Sequence, residues 1–172
     1  MKLEIKQPKI LVTGGAGFIG SNFISTYIDE YNILNIDKLT YAGSLESLKL
    51  ISNKDNYNFV KADISNQTDI KKIINNYNPD YIINFAAESH VDRSIEDPFS
   101  FIRTNVLGVT TLLVESTNYY NSISSDKKRN FRFLHVSTDE VYGSLKLNEK
   151  KFSESTKYDP SSPYSASKAS SD

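Results

Sequence analysis

Lys9-Ile10-Leu11-Val12-Thr13-Gly14-Gly15-Ala16-Gly17-Phe18-Ile19-Gly20 is the stretch on which the reading of this chain turns. Residues 9–13 form an unbroken apolar run of the kind a strand buried on both faces shows. Glycines then fall at 14, 17 and 20, a G-x-x-G-x-x-G spacing. The first permits a sharp turn, and the second lets backbone approach a diphosphate. The third lets the next helix pack close, with its first N–H groups aimed at the phosphates. Phe18, Ile19, Phe23, Ile24, Tyr27 and Ile28 recur at helical spacing and predict a helix with these residues on its core face.

Outward from that stretch, the strand and helix patterns alternate. Asn32 to Ile36 reads as a second strand, with Asp37 at its end, seventeen residues after Gly20. An acidic residue there suits the ribose hydroxyls of a dinucleotide. It favours NAD over NADP, because it repels a 2′-phosphate, although Lys38 beside it softens that repulsion. Tyr57 to Lys61 is a third strand, running into Ala62-Asp63-Ile64. Asp63 suits either a hydrogen bond from the adenine amino group or the cap of the next helix, Gln67 to Tyr77, which Asn78-Pro79 stops. Tyr81 to Phe85 is a fourth strand; the small Ala86-Ala87 after it let a cofactor lie against the backbone.

Asp97-Pro98 opens a long helix as N-cap and first residue. Its expected apolar face is Phe101, Ile102, Val106, Val109, Leu112 and Leu113. Thr104 and Asn105, polar on that helix, suit a structural or cofactor hydrogen bond. Tyr119 to Asn130 reads as a polar excursion whose charge run is a solvated loop. A buried fifth strand (Phe131, Phe133, Leu134, Val136) then leads to Ser137. Gly143 to Tyr158 is irregular, and a last helix starts at Ser162 or Pro163. The fold class is α/β, a doubly wound parallel sheet, Rossmann-like, with right-handed crossovers.

Composition narrows the function. The net charge of −1 comes without a basic stripe, so a nucleic-acid partner is not expected. No cysteine is present and only two histidines, which excludes disulfides and thiolate metal sites and argues against a histidine metal site. No apolar run is long enough to cross a membrane, and Met1 to Gln7 does not read as a leader; a cytoplasmic address is expected.

The chemistry gathers late in the chain. Ser137-Thr138-Asp139-Glu140-Val141-Tyr142-Gly143 places two adjacent carboxyl groups at the carboxyl end of a strand, where open parallel sheets bind ligands. Such a pair is costly unless solvated, paired or used. Tyr164 and Lys168, four residues apart, share a helix face. A phenol, with an ordinary pKa of about 10, is a poor base at neutral pH; a nearby ammonium and a nicotinamide cation favour the phenolate. Tyr-x-x-x-Lys beside a dinucleotide can therefore remove a hydroxyl proton while hydride leaves. Two carboxyl groups held at different pKa values supply an acid and a base for an elimination. His90 reads as a structural or substrate-edge residue.

The Gly14-to-Gly20 loop with Tyr164 and Lys168 resembles the extended short-chain dehydrogenase/reductases. Asp37 to Gly43, Ala86 to Ser94, Ser137 to Gly143 and Ser161 to Asp172 together resemble the dTDP-glucose 4,6-dehydratase family within them. The resemblance implies tightly held NAD contacted by Gly14, Gly17, Phe18, Ile19, Gly20, Asp37, Lys38, Asp63, Ile64, Ala86, Ala87, Thr104, Tyr164 and Lys168. It implies a nucleotide-sugar substrate, dTDP-glucose, met by Ser89, His90, Thr138, Asp139, Glu140 and Tyr164. Tyr164 would take the 4-hydroxyl proton as C4 gives hydride to NAD, with Thr138 on that oxygen and Lys168 on the nicotinamide ribose. Glu140 would take the C5 proton, Asp139 would protonate the departing 6-hydroxyl, and hydride would return to C6. Family members continue past Asp172, so residues 1–172 are expected to be an incomplete NAD-binding domain, lacking the last strands and the nucleotide-sugar domain of a homodimeric parent. The alternatives are a UDP-glucose 4,6-dehydratase and, for these residues alone, a non-catalytic dinucleotide-binding module.

Overall fold

A computed structural model describes residues 7–172. The leader reading of the first residues falls mostly outside that range. Five parallel strands form one sheet in the order β3-β2-β1-β4-β5. They are β1 (Lys9–Thr13), β2 (Asn32–Asp37), β3 (Tyr57–Lys61), β4 (Tyr81–Asn84) and β5 (Arg132–His135). The chain moves outward from β1 through β2 to β3, then returns to the other side of β1 for β4 and β5. The order reverses between β1 and β4, and a crevice opens at the carboxyl ends of those strands.

Helices cover both faces. On one, Leu11, Leu34, Ile36 and Ile82 pack against Ile70 and Ile74 of α2 (Gln67–Tyr77) and Leu112 and Tyr119 of α5 (Val109–Ser122). On the other, Ile10, Val12, Ile33 and Ile83 meet Ile24 and Ile28, the last turn of α1 (Phe18–Tyr27) and the residue after it. Helix α2 runs where its pattern places it. Asn66 caps its start, and Asn78, in the left-handed region at φ 57°, ends it before Pro79.

Several expectations are corrected. Only Ile24 and Ile28 carry the core face of α1 in full. Phe18 and Ile19 are exposed, because the first turn of the helix stands over the glycine loop rather than over the sheet. The long helix is composite: α3 (Val91–Glu96), α4 (Pro98–Phe101), a π-helical segment (Ile102–Gly108) and α5. Asp97 does cap α4, accepting from the Ser100 N–H. The π segment inserts a residue into the helical period, so Asn105 turns inward while Ile102, and Leu113 beyond it, turn out to solvent. Residues 125–130 are a helix, α6 (Ser125–Asn130), not a loop. Its Lys127 is pinned to Asn78 O at 2.7 Å and Asp80 at 3.3 Å. Among the described residues β5 stands at the edge of the sheet, and Leu134 on it is exposed rather than buried. Apolarity in a sequence marks strand character but does not say whether a neighbour covers it.

Candidate functional site

The turn after β1 is shaped by glycine chemistry. Gly14 has φ +70°, and a Cβ there would stand 2.5 Å from the Ala86 backbone nitrogen. The turn therefore presses directly on the segment leaving β4. A Cβ on Gly17 would meet only the Gly14 carbonyl oxygen, at 3.4 Å. Glycine at 17 answers no packing demand in the protein; it faces the crevice. Gly20, buried, lets α1 close on the turn.

A cleft lies beside that turn. Of the residues expected to hold a cofactor, it is lined by Gly14, Gly17, Asp37, Lys38, Asp63, Ile64, Ala86, Ala87 and Thr104. Phe18 and Ile19 stand exposed at the start of α1 and do not line it. Asp37 reaches across from β2: its carboxylate accepts the Ala16 N–H at 3.0 Å and the Leu39 N–H at 2.7 Å. Asp63 does not cap α2; Asn66 does. Asp63 instead accepts from Ser65 and pairs with Lys38 at 2.6 Å. Burial works to raise the Asp63 carboxyl, but the bonds from Lys38 and Ser65 outweigh it and hold the pKa below the ordinary value.

The sequence reading missed part of the cleft. Ile36, Thr40, Ala42, Gly43, Ala62 and Glu88 also line it. All adjoin residues that were singled out, and the small side chains at 42, 43 and 62 were the available signal. Also missed was the contact of the Arg93 guanidinium with the Tyr41 ring, 3.9 Å from its centroid. Asn105 proves structural. Its Oδ1 accepts the Glu88 N–H at 2.9 Å, and its Nδ2 donates to Glu88 O at 2.8 Å and Ser167 Oγ at 2.9 Å. One buried carboxamide thus ties the crevice wall to the last helix.

That helix is α7 (Pro163–Ala169), started by a capping box between Ser162 and Ser165. Tyr164 and Lys168 are buried on it. Tyr164 meets Phe101 edge to face, with ring centroids 6.3 Å apart. A short 3₁₀ turn, Asp139–Tyr142, packs against α7, with Thr138 as its cap. Thr138, Asp139 and Glu140 lie near enough to the Tyr164 phenol to shift its pKa. Thr138, Asp139, Glu140 and Tyr164 therefore share one cluster. Asp139 and Glu140 are exposed, so solvation meets the cost of their adjacency.

Two details depart from the sequence reading. Burial first, then the Glu140 and Asp139 charges, push the Tyr164 phenol above its ordinary value; the Thr138 hydroxyl pulls the other way. Lys168 does not act on it, because its Nζ is turned to the Val136 carbonyl at 2.7 Å and His135 Nε2 at 3.3 Å. Ser89 and His90 are exposed at the start of α3, which itself packs on α7.

Comparison with known proteins places this arrangement. The family model described as GDP-mannose 4,6 dehydratase matches residues 11–172. The chain is 52% identical over 174 residues to dTDP-glucose 4,6-dehydratase of Salmonella typhimurium, covering 95% of this chain and 48% of that protein. Among solved structures it is similar to dTDP-glucose 4,6-dehydratase of Bacillus anthracis in complex with NAD: TM-score 0.80, 43% identity, 95% of this chain and 48% of that one. The Streptomyces venezuelae dTDP-glucose 4,6-dehydratase with NAD and TYD bound gives a TM-score of 0.81 at 40% identity, over 95% and 49% of the two chains. The chain spans about half the length of the relatives it matches.

Proposed function

Since this chain belongs to the GDP-mannose 4,6 dehydratase family, we propose that it is the NAD-binding half of a dTDP-glucose 4,6-dehydratase. The observation that carries the reading is a buried hydrogen-bond link between the cleft wall and the helix of Tyr164 and Lys168, which do not themselves line the cleft. The cleft at the β1/β4 reversal runs from the Asp37 side past Ala86 and Ala87 to Glu88, which Asn105 ties to the helix of Tyr164 and Lys168.

The cleft fits a dinucleotide. Gly17 leaves room at the helix N-terminus for a diphosphate, and Gly14 lets the turn close against Ala86. Asp37 would accept from the adenosine ribose, with Lys38, Asp63 and Ile64 on the adenine side and Ala86, Ala87 and Thr104 along the middle. Phe18, Ile19 and Gly20 would close over the diphosphate. Bound NAD would supply the hydride acceptor and return the hydride. Tyr164 would remove the sugar 4-hydroxyl proton, with Thr138 holding that oxygen. The raised phenol of the free protein makes positive charge arriving with the ligands part of its activation. Lys168 would hold the nicotinamide ribose. Glu140 would take the C5 proton, and Asp139 would protonate the 6-hydroxyl as it leaves. Ser89 and His90 would border the sugar. The relatives named for dTDP-glucose disfavour the UDP-glucose alternative.

For these residues alone we infer cofactor binding without turnover, since Asp139 and Glu140 are exposed with no wall opposite them among the described residues. The exposed apolar residues Ile95, Phe99, Ile102, Leu107, Leu113 and Val114 support a dimeric parent. The test is to join this chain to a second half of the kind its relatives carry and supply dTDP-glucose. The expected product is the 4-keto-6-deoxy nucleotide sugar with no net NADH. Product lacking the 6-deoxy centre, or NADH accumulating one for one, would contradict the reading.

A further inference from the structure

Three neighbouring strands end in one polar rung. In the parallel register Thr13 faces Asn84, and Asn84 faces His135. Two residues back, on the same sheet face, stand Leu11, Ile82 and Phe133, all apolar. Thr13 and Asn84 are buried, and the His135 side chain is 13% exposed. A hydroxyl, a carboxamide and an imidazole are costly there unless they satisfy one another. They do so in sequence: the Thr13 hydroxyl donates to Asn84 Oδ1, and Asn84 Nδ2 bonds His135 Nδ1 at 2.9 Å. His135 Nε2 stands 3.3 Å from Lys168 Nζ, so the row terminates on Lys168.

Donor arithmetic decides the polarity. An ammonium has donors only, so its contact with Nε2 needs a lone pair there. With Lys168 charged, the imidazole proton then sits on Nδ1 and the Asn84 carboxamide must turn over from its orientation in the structure, so that its oxygen accepts from Nδ1–H and its nitrogen donates to Thr13. If Lys168 loses its proton, every bond runs in the direction the structure shows, with Asn84 Oδ1 on the Thr13 hydroxyl and Nδ2 on the imidazole. Nε2–H donates to the amine, the Asn84 nitrogen donates to Nδ1, and the Thr13 hydroxyl donates to the Asn84 oxygen. Hydroxyl, carboxamide and neutral imidazole can each serve in both directions; no apolar side chain can. Ser171 Oγ at 3.2 Å and Asp172 Oδ1 at 3.7 Å also face Nε2. Burial and the Lys168 charge, against the pull of Asp172, push the imidazole down to about 4 and keep it neutral.

We propose that His135 is a positioning residue for Lys168, and that Thr13, Asn84 and His135 form a reversible hydrogen-bond row that holds Nζ in place in both charge states. Its importance for catalysis rests on the proposed role of Lys168 beside Tyr164; the row itself does not.

The test is amine labelling of Lys168 by acetic anhydride against pH, read by mass spectrometry on the 172-residue chain. His135→Phe removes the acceptor and is expected to lower the labelling midpoint by about one pH unit. His135→Gln, whose side-chain oxygen can accept from the ammonium, restores it. An unchanged midpoint in folded His135→Phe overturns the proposal. The second measurement needs no variant: imidazole nitrogen NMR, with exposed His90 as the internal reference. The expected tautomer is Nδ1–H at neutral pH, passing to Nε2–H as Lys168 deprotonates; Nε2–H across the whole range overturns the proposal. A parallel labelling series with NAD speaks to the cofactor reading alone. Shielding of Lys168 supports that reading and its absence counts against it, so the two failures are distinguishable.

Discussion

The Asp37 carboxylate accepts the Ala16 N–H at 3.0 Å and so locks the end of β2 to the glycine turn after β1. The same carboxylate borders the cleft. One residue thus both shapes the turn and presents charge to a ligand. Asp37→Ala should weaken NAD binding by on the order of tenfold or more, since bonds to a charged acceptor are lost. Calorimetric titration of the chain with NAD measures it. Asp37→Asn should fall between the two, because its amide oxygen can still accept the Ala16 N–H.

Gly14 and Gly17 should fail in different ways. Gly14→Ala forces a side chain into a left-handed backbone and onto Ala86, at a cost on the order of 3 kcal/mol of stability. Gly17→Ala meets only open space and one carbonyl, so it should keep the melting temperature and lose NAD affinity. Thermal unfolding and titration of both variants separate the two roles. Equal stability losses would contradict the assignment of Gly17 to the ligand.

Asn105→Ala leaves the Glu88 N–H, the Glu88 carbonyl and the Ser167 hydroxyl without their buried partner. The expected loss is about 2–4 kcal/mol in urea unfolding. A surface change such as Thr110→Ala on the same composite helix should cost well under 1 kcal/mol.

Stability should depend on pH through His135. The unfolded chain takes up the imidazole proton near its ordinary pKa of 6.5, while the folded chain resists until about 4. Between those values the unfolded state binds more protons, so stability falls as the pH falls. The contribution is fully present above about 6.5 and lost by about 4, amounting to on the order of 2 kcal/mol after screening. His135→Gln should flatten the urea-unfolding profile across that window. The Asp63 carboxyl, held low by Lys38 and Ser65, adds its own loss only at more acid pH.

Local patterns were legible in the sequence, and long-range packing was not. The run from Lys9 to Asp37 displays strand, turn, helix and strand as contiguous periods, and α2 carries its stop signal, Asn78-Pro79, directly after its last residue. The π segment at 102–108 escaped because one inserted residue breaks the period by which helical faces are assigned. Exposure of Leu134, Phe18 and Ile19 depends on what lies opposite them, which hydrophobicity does not encode. The Asn105–Glu88 clasp and the Thr13–Asn84–His135 row join residues 17 to 71 positions apart. Each is polar and unremarkable until register brings it together.

The proposed meeting of Thr138, Asp139, Glu140, Tyr164 and Lys168 with the nicotinamide of bound NAD is most directly measured by isotope-edited NOE spectroscopy of the chain with NAD. Cross-peaks are expected from the nicotinamide C4 proton to the Tyr164 ring, and from the adenine C2 proton to Ile64. Bound NAD whose nicotinamide protons show contacts only to residues remote from Tyr164 would contradict the account.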